Sequence, residues 1–159
     1  MSADERDAVD DPQGSGKPLA PGAGQPGNRD HDPATSLLPF EYAVLRIMPR
    51  VDRGEFVNGA ILLYCQDTGF LGIRIRPDLA CVQALWPQAD IEAIGEALRA
   101  AAAVAEGRAG GVIDAEEAGS RFRWLTAPRS VVVQPGPVHT GVTDDPSAEL
   151  DRIAERMLG

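Results

Sequence analysis

Residues 42–76 read YAVLRIMPRVDRGEFVNGAILLYCQDTGFLGIRIR, and this stretch decides the fold. Over residues 42–48 the side chains alternate. Ala43, Leu45 and Ile47 point one way; Tyr42, Val44, Arg46 and Met48 point the other. That is the pattern of a strand with one buried face and one mixed face. A polar connection over residues 49–54 leads to a second strand, 57–65. Gln66-Asp67-Thr68-Gly69 is a short turn ending in glycine, which predicts a hairpin to a third strand over 70–74. Leu71, Ile73 and Ile75 continue the alternation against Gly72, Arg74 and Arg76. Three sequential strands joined by short connections make an antiparallel meander.

Further along, the period changes. Ile91, Ile94, Leu98, Ala101, Ala102 and Ala105 recur at helical spacing, with Asp90 placed to cap the start and Gly107 to end the helix. Residues 113–119 suggest a short turn. Residues 131–134 are apolar and β-branched and read as a fourth strand. Asp145-Pro146 marks a helix start, cap followed by proline at the first helical position. Leu150, Ile153, Met157 and Leu158 then form one apolar stripe. The order predicts an α+β fold: a mostly antiparallel sheet of about four strands with its helices packed on one face.

Toward the N-terminus the composition changes near residue 38. Residues 1–38 hold Asp4, Glu5, Asp7, Asp10 and Asp11, then five prolines among glycines. They have too little apolar surface to offset the entropy of ordering, so 1–38 is expected as a disordered acidic tail and 39–159 as a single domain. Gly22-Ala23-Gly24-Gln25-Pro26-Gly27 matches GxGxxG by letter. A dinucleotide loop needs a strand before it and a helix after it, and the pattern here predicts neither. No cofactor is expected.

Bulk properties narrow the function classes. With 159 residues, 43% of them hydrophobic, the chain has room for one ordinary core. A net charge of −9 argues against nucleic acid as a main partner, because phosphate gripping calls for a basic face. No apolar run approaches the ~20 residues that cross a bilayer, and no membrane partner is expected. Cys65 and Cys81 lie in apolar contexts without CxxC spacing and read as reduced, buried thiols of a cytoplasmic protein.

Polar residues gather in three places. Arg46, Arg53, Glu55 and Asn58 form the first group, in which Arg53 and Glu55 share one face of an extended segment. An Arg–Glu pair that fixes a loop is one reading; arginines that hold an anion while Glu55 orients them is the other. Arg121, Arg123, Trp124, Arg129, Ser130 and Gln134 form the second. Alternation puts Arg121 and Arg123 together, opposite Phe122 and Trp124. Arginine forks suit phosphate or carboxylate, though pairing with the chain's own carboxylates reads the same way. Trp124 is expected as a core or edge anchor.

His139, Thr140, Thr143, Asp144 and Asp145 form the third group, with His139 placed in a Pro-Gly loop. Ser130, His139 and the aspartates lack the sharp elbow that serine chemistry requires. One domain histidine without HxxxH or paired cysteines gives no metal site.

The blocks YAVLRIMPRVDRGEFVNGAILL and FRWLTAPRSVVVQPGPVHTGVTDDPSAELDRIAERML resemble the bacterial family catalogued as domain of unknown function 3037. The resemblance spans residues 40–158. It carries no activity. It implies an association with a HipA-like kinase-type protein, beside which members are often encoded. The family's polar motif positions fall here on Arg53, Glu55, Phe56, Asn58, Arg123, Trp124, Pro128, Arg129, Gln134, His139 and Gly141.

Two functional readings follow. In the first, the chain is an accessory or binding protein that docks a HipA-like partner through an Arg/Trp/His surface. In the second, it is a small enzyme or ligand-binding domain for a phosphate-bearing substrate, with an arginine clamp and Glu55 or His139 as acid/base. The candidate surface in either case is Arg46, Arg53, Glu55, Asn58, Arg123, Trp124, Arg129, Gln134 and His139.

Overall fold

The alternation over residues 42–48 belongs to a strand that starts earlier. The computed structural model describes residues 36–159. In it β1 runs Leu38–Ile47, β2 Val57–Cys65 and β3 Phe70–Ile75, each antiparallel to its neighbour. Leu62 lies opposite both Ala43 and Ile73, so the three strands place like faces together. The β2–β3 turn closes where the Gly69 amide donates to the Gln66 carbonyl at 3.1 Å. Gly69 has φ +65°, a conformation that glycine adopts without strain. Leu38, expected at the end of the tail, already belongs to β1. The rest of the expected tail, through residue 35, and its GxGxxG lie outside the described residues.

The fourth strand is longer than expected. β4 spans Val133–Thr143, 11 residues, and pairs antiparallel with β1, giving the order β3-β2-β1-β4. His139 therefore stands in a strand opposite Tyr42, and not in a loop. β4 has a free outer side, so Pro135 and Pro137 cost few ladder bonds. Between the pairs Ala43–Val138 and Leu45–Pro135 the register slips by one residue, and this bulge absorbs Gly136 and Pro137.

Four helices pack on this sheet: α1 Ala80–Leu85, α2 Ile91–Ala105, α3 Ala118–Thr126 and α4 Pro146–Leu158. The Asp90 carboxylate accepts from the Ala93 amide at 2.9 Å, and Gly107 ends α2 at φ +68°. Asp145 accepts from the Ser147 and Ala148 amides, with Pro146 at the first position of α4. Those caps are where the sequence placed them. α3 is not. The alternation read over residues 121–124 is instead one turn of helix, with Phe122 and Leu125 buried at a spacing of three. Phe122 stacks on Tyr64, ring centroids 5.5 Å apart, which ties α3 to β2. Arg121 and Arg123 consequently diverge.

The α+β class and the four antiparallel strands are as expected, but the helices cover both faces of the sheet. Val82, Ile94, Leu98, Phe122 and Leu125, from α1, α2 and α3, pack on the face of Leu45, Ile47, Ala60, Leu62 and Ile73. Leu150, Ile153 and Leu158 of α4 pack on the opposite face, against Phe40, Val44, Ile61, Leu63 and Cys65. The physical reason lies in β2. Its residues from Gly59 to Cys65 are all buried, and a strand buried on both faces needs cover on both. Cys65 is a buried free thiol as expected, whereas Cys81 is only half-buried.

Candidate functional site

A groove of about 550 Å³ opens beside α2, on the face of the sheet opposite α4. Its origin is side-chain size. Ile94, Leu98 and Val104 turn α2's large residues to the core. Ala93, Ala97, Ala100 and Ala101 line the flank beside them, and methyl groups leave the space between α2 and the β1–β4 end of the sheet unfilled. Leu45, Val133 and Pro135 line the strand side. Val131 and Val132, 50% and 43% exposed, contribute where the chain enters β4. Connections of this kind can expose apolar side chains because no helix lies over them.

Trp86 and Trp124, the chain's two tryptophans, both line this groove. Trp124 is 46% exposed, so of the core or edge position expected for it the core is excluded. On helix α3 it projects away from Phe122 and Leu125. Each indole carries arginine. The Arg129 guanidinium lies 4.6 Å from the Trp124 ring and also donates to the Trp124 and Ala127 carbonyls. Arg50 and Arg53 lie 4.9 Å and 5.6 Å from the Trp86 ring. Arg50 also pairs with Asp52, and this bond holds the Asp52 carboxyl below its usual range. Arg53 is 3.9 Å from Glu55, both exposed. An indole face draws a cation over it and holds the guanidinium plane in a set orientation. The groove therefore has an apolar floor, with Arg129 and the Asp90 carboxylate in its lining and the Arg50–Asp52 and Arg53–Glu55 pairs beside Trp86.

The remaining candidate residues lie elsewhere. Arg123 reaches Glu41 of β1 at 3.2 Å, a half-exposed bridge between α3 and the sheet. Arg121 donates to the Glu116 carbonyl. Arg46, Asn58 and Gln134 are cross-strand neighbours on the α4 face, where the Asn58 amide donates to the Met157 carbonyl at 3.2 Å. His139 stacks on Tyr42 at 5.0 Å on that same face and is exposed.

The nine candidate positions thus divide between two faces of the sheet. Ser130 precedes β4 and His139 stands six residues inside it, about 20 Å along a strand, too far to share a proton. Among the described residues no group of three His, Cys, Asp or Glu side chains is placed to hold a metal ion. No helix among them is long and apolar enough to cross a membrane.

Sequence reasoning missed Trp86, Arg50 and the alanine flank. The signal for Trp86 was its rarity. The alanines at 93, 97, 100 and 101 follow helical spacing, but of these only Ala101 was read as part of the apolar stripe.

No curated protein and no solved structure matches the chain. A family model does match, over residues 42–158, which takes in both lips of the groove, and the chain belongs to that family, described as protein of unknown function (DUF3037).

Proposed function

We propose that this chain is a binding protein whose groove receives an apolar segment of a partner protein carrying a carboxylate. The observation that carries this reading is the placement of both tryptophans, each under arginine, at one alanine-lined groove. Tryptophan and arginine are the residue types that most often dominate protein–protein recognition. The exposed valines and Trp124 form an apolar patch of the kind that marks such contacts. Small side chains along α2 let a partner backbone approach closely. Arg129, which lines the groove and among the described residues has no carboxylate partner, favours an acidic side chain on the partner.

The family resemblance names a HipA-like protein as the first partner to test. The second reading, an arginine clamp on a phosphate-bearing substrate, requires arginines aimed at one spot. Arg53, Arg123 and Arg129 instead hold Glu55, Glu41 and the Trp124 carbonyl.

Intrinsic fluorescence tests the proposal, because both tryptophans face the groove. Titration with the HipA-like protein encoded in the same genome should shift the emission and saturate. Arg129→Glu should weaken that binding about tenfold or more. Saturable binding with no change in emission would place the contact elsewhere and end the groove reading. Absence of binding, with an acidic amphipathic peptide still shifting the emission, would remove the HipA-like partner and keep the groove.

A further inference from the structure

Arg46 presents a separate observation, on the face of the sheet away from the groove. Its guanidinium lies 4.3 Å from the Phe56 ring. Gly136 is also close: a Cβ there would lie 3.0 Å from Arg46 Nε and 3.2 Å from Cζ. Arg46 is thus packed against both an aromatic ring and a glycine backbone. Among the described residues it is a half-buried arginine with neither a carboxylate nor a carbonyl partner, and its Nε is buried and unpaired. Other half-buried arginines each have an oxygen partner: Arg74 has Asp151, Arg76 has the Asn58 carbonyl, and Arg121, whose Nε is likewise buried and unpaired, has the Glu116 carbonyl through Nη1.

The residue opposite Arg46 on β4 is Gln134, and its Nε2 is also buried and unpaired. Asn58, opposite Arg46 on β2, spends its own amide on the Met157 carbonyl. Two neighbouring donors left without acceptors, one of them cationic, are costly unless something supplies the acceptor.

We infer that Arg46 and Gln134 form a site for an oxyanion, the phosphate or carboxylate group of a ligand. An oxyanion offers several lone pairs to a planar fork and an amide together. Packing against Phe56 and Gly136 restrains the fork before the ligand arrives. This site is independent of the groove.

The test uses the full chain, with sodium phosphate or sodium acetate titrated against sodium chloride at constant ionic strength. At about ten times its Kd, the bound anion should raise Tm by roughly 5 °C. The Arg46 Nε–H resonance should shift along the same titration. A larger response to phosphate or to acetate identifies which group the site prefers.

Arg46→Lys keeps the charge, loses the fork, and should abolish the response. Gln134→Glu places a carboxylate beside Arg46 from within. It should raise Tm without added anion and remove the response to phosphate, and it carries the test if Arg46→Lys does not fold. Three results would overturn the inference. One is no response to either anion at 100 mM or about that level. Another is an equal response in wild type and both variants, the mark of a general salt effect. The third is a Gln134→Glu variant that is less stable than wild type, as when Gln134 already turns its own carbonyl to Arg46.

Discussion

The two faces of the sheet are covered in different ways. Leu150, Ile153 and Leu158 of α4 bring large side chains against Phe40, Val44, Ile61 and Leu63, and fill the space between that helix and the sheet. α2 brings large residues only along one stripe; its flank toward β4 is alanine, and there the face opens as a groove. Both helices are amphipathic and well capped. The size of the side chains beside the apolar stripe decides whether a helix fills the space over a sheet face or leaves a groove. On the proposed reading, α4 serves stability and the α2 flank serves partner recognition.

The strongest challenge to this comparison comes from the core. Leu150→Ala should cost about 2–5 kcal/mol in denaturant unfolding, because Leu150 is fully buried under α4. Phe122→Ala, on the groove side, should cost about 3–5 kcal/mol, since α3 is anchored by this ring on Tyr64. A cost for Leu150→Ala below about 0.5 kcal/mol, the size of a surface change, would mean that α4 does not fill the space over its face.

A smaller effect sharpens the contrast in spacing. A Cβ on Gly72 would meet Leu150 Cδ2 at 2.6 Å and Phe70 Cζ at 2.7 Å. Gly72→Ala should then destabilise by about 1–3 kcal/mol through overpacking. A neutral result would show that α4 can move away from the sheet at little cost.

The smallest effect is electrostatic and lies at the corner between α2 and α3. Asp114 accepts from the Ala109 amide at 2.9 Å and the Gly110 amide at 2.6 Å. Burial pushes its carboxyl up, but these amides, that of Gly111 and the Arg121 charge outweigh burial and hold it below its ordinary 3.8. A carboxyl whose folded pKa is depressed adds stability above its unfolded pKa. That contribution is lost as pH falls through the folded value. Wild type should therefore exceed Asp114→Asn in Tm at pH 7, with the gap closing below about pH 4. A gap that is independent of pH would show that the carboxylate charge does not hold this corner.

The meander was legible because period-two alternation and the Gln66–Gly69 turn agree with each other. The caps at Asp90 and Asp145 were legible because they are local chemistry. Which face α4 covers was not, since its apolar stripe states that it packs and not where. α3 was misread because Arg121-Phe122-Arg123-Trp124 fits a strand as well as a helix over four residues. Leu125 is the residue that breaks the tie. β4 was cut short because prolines and glycines read as loop unless the strand is known to be an edge. Of the site, Trp124 and Arg129 were visible as chemistry. The groove itself was not, because it is made by side chains that are absent along α2, and absence registers only once the neighbours are in place.

The claim that the α2 flank is the binding surface is tested most directly by filling it. Ala97 is exposed and lines the groove, so Ala97→Leu adds volume there without entering the core. Thermal unfolding and calorimetric titration with the partner would be measured together. The account predicts stability within about 0.5 kcal/mol of wild type, as for other surface changes, and at least a tenfold loss of affinity. Undiminished affinity in a folded Ala97→Leu chain would contradict it.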